Sequence, residues 1–142
     1  MSRVLEVTNL EGGYGKVQIM NGVDLYVDEG EFVTVIGPNG CGKSTFIKLI
    51  FGIATYYGGS VKHKGEEVSG WRTDSLVNRG IAYVPQVDNV FPNLSVRENL
   101  EMGGINLSIP VLNERIERTL EMFADLKPRM GDVAASLSGG QR

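Results

Sequence analysis

A single cysteine, Cys41, stands among the 142 residues. No disulfide can therefore close within the chain, and a reducing compartment fits it. No run of 18 or more apolar residues occurs, so no segment has the length to span a bilayer as a helix. The opening Met1-Ser2-Arg3-Val4-Leu5-Glu6 reads as a strand and lacks the apolar stretch of a secretory signal. Charge of one sign is scarce as well. Lys and Arg number 14 against 17 Asp and Glu, a net charge of −3, which gives no electrostatic reason to expect nucleic acid as a partner. There is no internal repeat of solenoid length. With 42% apolar and 22% charged residues, what remains is ordinary globular composition. A domain of this length buries roughly 70% of the surface its unfolded chain exposes. Glycine is plentiful: the 19 glycines cluster at a few loops and mark special backbone sites.

The pattern up to about Gln86 is mixed α/β. Val4–Val7 predicts a first strand, Gly12–Gly15 a turn-rich loop, and the alternation of Val23, Leu25 and Val27 a half-buried strand. Glu31–Ile36 is short, apolar and β-branched, as a buried strand should be. After a glycine-rich loop, Lys43–Phe51 predicts a helix buried on most sides and stopped by Gly52. Val61–Lys64 and Ile81–Val84 predict short strands, and His63, between Lys62 and Lys64, reads as solvated. Beyond Gln86 the character is helical. Ser95-Val96-Arg97-Glu98 is a capping box opening a helix to about Met102. Leu112, Ile116, Leu120 and Phe123 give helical spacing to a second helix over about Val111–Leu126. The expected organisation is an α/β core over 1–86, a helical subdomain over 87–136 and a glycine motif opening a further helix over 137–142.

Two glycine motifs carry chemistry. Gly37-Pro38-Asn39-Gly40-Cys41-Gly42-Lys43-Ser44 satisfies G-x-x-x-x-G-K-[S/T], with a predicted strand before it and a helix after it. Glycine lets successive N–H groups wrap α- and β-phosphates without Cβ clashes, and the helix start turns its positive end on the same anion. In that setting Lys43 supplies a cation to the β- and γ-phosphates and the Ser44 hydroxyl a ligand for Mg²⁺, with Thr45 counted among the nucleotide contacts. A plain glycine turn is the rival reading. A dinucleotide fingerprint does not fit, because glycines at 37, 40 and 42 do not spell G-x-G-x-x-G. Cys41 is read as a small residue that fits its loop. The second motif is Leu137-Ser138-Gly139-Gly140-Gln141-Arg142, where Ser138 is a candidate N-cap and open first-turn N–H groups offer a second anion site.

A phosphate loop followed about a hundred residues later by Leu-Ser-Gly-Gly-Gln resembles the ABC ATPases, and the resemblance runs the length of the chain. It implies a P-loop NTPase core with an antiparallel β portion and a helical subdomain, binding ATP with Mg²⁺. It places Tyr14 as the aromatic that stacks on adenine. It places Gln86, after Tyr83-Val84-Pro85, as the glutamine that reaches Mg²⁺ or the attacking water. Ser138, Gly139, Gly140 and Gln141 become the signature that faces the γ-phosphate of a second ATPase subunit in a head-to-tail dimer. Integral membrane subunits are the implied partners, on the inner face of the cell membrane, with docking expected around Asn89, Val90 and Phe91. Tyr14–Val17, Arg79–Pro85 and Val90–Leu100 are similar to branched-chain amino acid importer ATPases, although many of those have glutamate where this chain has Gln86. An amide, urea or lipid transporter, or a soluble ATPase of the same family, therefore remains open.

The family's catalytic Asp-Glu strand and switch histidine come after the signature. The resemblance implies a chain cut before them, which binds MgATP weakly and does not turn it over. Leu25-Tyr26-Val27-Asp28-Glu29 mimics that strand, but it precedes the phosphate loop and reads as a surface strand entering a turn. Glu31–Ile36 is then expected to present an unpaired apolar edge, in a chain of marginal stability.

Overall fold

Alternating apolar residues and a glycine at the tip fold the first 28 residues into a long hairpin, strands β1 (Arg3–Tyr14) and β2 (Val17–Asp28). The structure is a computed structural model that describes residues 2–87 and 89–140. Gly15 takes φ 60°, the sign that a II′ hairpin asks of its first central residue, and Tyr14 faces Val17 across the tip. Gly12 and Gly13, predicted as loop, lie inside β1 instead. A Cβ on Gly12 would meet the Leu49 side chain and the Thr55 carbonyl, so this glycine serves close packing rather than a turn. Val7 and Leu10 are three positions apart and would face opposite ways in a regular strand. A register irregularity between them, with Asn9 at φ 49°, turns both into the core.

β3 (Thr55–His63) pairs antiparallel with the other side of β1, and the two-residue β4 (Glu66–Glu67) closes an edge, giving the order β2-β1-β3-β4. The predicted strand at Val61–Lys64 is thus the end of a longer one. Helix α1 (Lys43–Ile50) lies against this sheet. It stops as predicted, in a Schellman arrangement: Gly52 at φ 70° donates to Leu49 O, and Ile53 N donates to Lys48 O. Only Thr45, Phe46 and Leu49 of α1 are buried. The expectation of burial on most sides is corrected, because the sheet covers a single face. α2 (Thr73–Asn78), not anticipated from the sequence, brings Leu76 into the same core with Val61 and Val68.

The predicted strand over Glu31–Ile36 is not formed: Phe32 is 94% and Ile36 86% exposed. An apolar run of this kind needs neighbours on both edges and both faces, and no strand among the described residues lies beside it. The strand expected at Ile81–Val84 is likewise absent. Leu25–Glu29 behaves as read from sequence, with Asp28 ending β2 opposite Arg3.

Contacts divide the chain into two compact units, Met1–Tyr83 and Val84–Arg142. In the second, the capping box is complete: Ser95 Oγ accepts from Glu98 N at 3.2 Å and Glu98 Oε2 accepts from Ser95 N at 2.7 Å. It opens α3 (Val96–Gly103). α4 (Ile109–Met122) ends before the predicted Leu126 and gives way to a 3₁₀ turn, Ala124–Arg129, that carries Pro128. Phe123 therefore falls beyond α4 and is exposed, while Val96, Ile116, Leu120, Ala134 and Leu137 are buried.

Candidate functional site

The loop from Gly37 to Gly42 leaves the surface open ahead of α1. Gly40 and Gly42 stand at φ 84° and 97°, where a side chain is strained. A Cβ on Gly42 would also strike Met20 Cε of β2, so glycine lets the loop rest on the hairpin. Gly42 is the N-cap of α1, provides no side-chain cap, and is followed by no acidic residue in the first turn. The N–H groups of that turn thus keep their positive end available to an anion.

Lys43 Nζ donates to Gly37 O at 2.9 Å and Pro38 O at 2.8 Å, and lies 3.9 Å from Cys41 Sγ. The ammonium hangs across the loop on neutral carbonyls, exposed, with Cys41 beside it. Pro38 O also accepts from Cys41 N, closing the turn that contains Asn39. Ser44 is exposed at the start of α1. Thr45 is buried, and its Oγ1 donates to Tyr14 Oη at 3.5 Å. Tyr14 and Gly37–Thr45 thus lie in one unit, with the aromatic joined to the first turn of α1 through Thr45.

Tyr14 is 45% exposed, and Lys48 Nζ lies 6.0 Å from its ring centroid, the outer range of a cation–π contact. Thr45 and Lys48 are three residues apart, so they share a face of α1. The turn behind Tyr14 is held from β3, where Thr55 Oγ1 accepts from Gly15 N and Tyr57 Oη donates to Gly15 O. Motif reading passed over Lys48, Thr55 and Tyr57. The one available signal was the i, i+2 spacing of Thr55 and Tyr57, which sets both on one side of a strand.

The remaining expected residues belong to the other unit. Gln86 is exposed in an irregular segment. Ser138, Gly139 and Gly140 are exposed after the buried Leu137, and Gly139–Gly140 form a turn, so the helix that Ser138 was expected to cap does not begin among the described residues. Gln141 lies outside the described residues. His63 is half-buried rather than solvated: burial, then the neighbouring Lys64, hold its imidazole below the ordinary value.

No cluster of three His, Cys, Asp or Glu residues suited to a metal occurs among the described residues. A lone serine hydroxyl at the anion loop suits Mg²⁺ all the same, since that ion keeps several waters and takes phosphate oxygens rather than an all-protein cage. No helix among the described residues is long and apolar enough to cross a membrane.

The family profile described as "ABC transporter" matches residues 20–142. A probable branched-chain amino acid transport ATP-binding protein, LivF of Archaeoglobus fulgidus, is 39% identical over 98% of this chain and 59% of its own length. The high-affinity branched-chain amino acid transport ATP-binding protein BraG of Pseudomonas aeruginosa is 38% identical over 91% of this chain and 55% of its own. Among solved structures, the ADP conformation of an ATP-binding cassette of an ABC transporter superposes with a TM-score of 0.82 at 28% identity, covering 99% of this chain and 61% of that one. The chain thus spans little more than half the length of these two relatives.

Proposed function

The chain belongs to the ABC transporter family, and on that premise we propose that it is the nucleotide-binding part of a transport ATPase that holds ATP at Gly37–Thr45. One observation carries this reading: an uncapped helix start, free of acidic residues, faces a glycine loop across which Lys43 is held by the neutral carbonyls of Gly37 and Pro38. Triphosphate offers the ammonium charged acceptors instead, and such bonds are roughly twice as strong as neutral ones. The backbone of Gly40, Cys41 and Gly42, with Pro38 and Asn39 shaping the turn, cradles the phosphates. Tyr14 stacks on the base. Ser44 would hold Mg²⁺, which would supply neutralisation of phosphate charge.

In the intact protein, Ser138, Gly139, Gly140 and Gln141 of a second copy face the γ-phosphate head to tail. Hydrolysis drives integral membrane subunits that dock near Asn89, Val90 and Phe91, at the inner face of the cell membrane. The relatives named above support branched-chain amino acids as the solute class.

The test uses the full-length protein, with ATP hydrolysis and co-purification of membrane subunits as its two readings. Lys43→Ala abolishes hydrolysis, because phosphoryl transfer depends on positioned charge and loses on the order of 10²–10³ in rate per such element. Hydrolysis that survives Lys43→Ala combined with Ser138→Ala overturns the reading, as does co-purification with nucleic acid in place of membrane proteins.

A further inference from the structure

We propose that Tyr57 is a positioning residue for the base of the nucleotide: it fixes the ring of Tyr14 through the carbonyl of Gly15. The inference rests on Tyr14 being the base platform, as proposed above. Tyr14 ends β1 at a two-residue tip, where a strand frays most readily because nothing continues it on the far side. Its ring is half exposed, and its hydroxyl makes a long contact, 3.5 Å to Thr45 Oγ1. A stacking surface held that loosely would have to be ordered by the base itself, at a cost to affinity.

The tip is not left loose. Tyr57 Oη donates to Gly15 O at 2.8 Å, and Gly15 N donates to Thr55 Oγ1 at 3.2 Å. Both backbone polar groups of Gly15, the residue after Tyr14, are thereby tied to side chains of β3 some 40 residues later. The register carries β3 alongside β1 only as far as Gly13↔Thr55. Backbone pairing with β3 stops one residue short of Tyr14, and the two hydroxyls continue it over the tip. Lys48 Nζ lies over the ring, 6.0 Å from its centroid, and Tyr14 stays 45% exposed. Tyr57 is itself partly exposed, with its hydroxyl the feature that ties it to the tip. The hydrogen bonds that shape the phosphate loop, Lys43 Nζ to Gly37 O and Pro38 O and Cys41 N to Pro38 O, lie within the loop itself.

The brace therefore acts on the base and leaves the phosphates alone. In the full-length protein, affinities for MgATP and for magnesium tripolyphosphate, which carries the phosphates without a base, are measured by calorimetry for wild type, Tyr57→Phe, Thr55→Val and Tyr14→Ala. Tyr57→Phe keeps the ring and its packing and removes one hydrogen bond. It is expected to weaken MgATP about 2- to 10-fold and to leave tripolyphosphate unchanged. Thr55→Val gives the same split, and Tyr14→Ala a larger one. If Tyr14→Ala shows the split while Tyr57→Phe and Thr55→Val bind both ligands as wild type does, the brace is refuted and the platform stands. If Tyr57→Phe weakens both ligands equally, it acts through the fold, and the proposal fails. If Tyr14→Ala leaves MgATP unaffected, the platform reading fails and takes the brace with it.

Discussion

Asn99 offers the sharpest test of how the helical unit holds the segment ahead of α3. Its Oδ1 accepts from Phe91 N at 2.7 Å and its Nδ2 donates to Phe91 O at 3.0 Å, so one amide side chain pairs with a whole peptide residue as a neighbouring strand would. Nδ2 also lies 2.9 Å from Ser95 O. Asn99→Leu removes both bonds to Phe91 at similar volume. At about 0.5–1.5 kcal/mol each, the loss is about 1–3 kcal/mol of local stability. Amide exchange at Phe91 should then accelerate about 5- to 140-fold, since each 1.4 kcal/mol is tenfold. Val96 N, bonded to Asp132 O, serves as the internal control and keeps its protection. Asn99→Asp keeps the acceptor for Phe91 N but turns a carboxylate on the carbonyls, so it should fall between wild type and leucine. In the intact protein, where the same segment is proposed to meet membrane subunits, transport should fall while MgATP affinity holds. Unchanged exchange at Phe91 in Asn99→Leu would show that the backbone, not this side chain, holds the segment.

Gly42→Ala places a Cβ at φ 97° against Met20, a strain of about 1–2 kcal/mol from the left-handed backbone alone; both the melting temperature and MgATP affinity should drop, and Met20→Ala should recover part of the loss. The Ser95 backbone N–H, then its hydroxyl, hold the Glu98 carboxyl below its ordinary 4.5. Because the folded pKa is depressed, that support for α3 is complete above the ordinary value and fades as pH falls through the lowered one. Protection factors at the start of α3, corrected for intrinsic exchange, should fall in acid, and Glu98→Gln should flatten that profile. The 142-residue chain should bind an apolar dye through Phe32 and Ile36, and Phe32→Lys with Ile36→Lys should reduce the signal; undiminished dye binding would put the exposed apolar surface elsewhere.

Features governed by a few adjacent residues were legible in the sequence. The capping box at Ser95–Glu98, the stop at Gly52 and the phosphate loop opening α1 each depend on local backbone chemistry, and each took the form its residues predict. Features that depend on a distant neighbour were not. Gly12 and Gly13 read as a turn because the sequence cannot show Leu49 and Thr55 pressing on that strand. Phe32–Ile36 has the composition of a buried strand, but composition does not supply the partner that would bury it. At the site the same division holds. Lys43 and Tyr14 were identified from motif and resemblance, whereas Thr55 and Tyr57, some 40 residues from Gly15, were joined to it only by the antiparallel pairing of β1 with β3.

Lys43, folded back on the carbonyls of Gly37 and Pro38, gives the loop a memory of its own shape. The ammonium has two acceptors in the loop itself, each within 3 Å, so the loop's own carbonyls take part of the place of water around its charge. Departure of one anion returns the side chain to contacts that need no counter-ion and no rebuilding of the backbone. Successive anions then meet the same loop geometry.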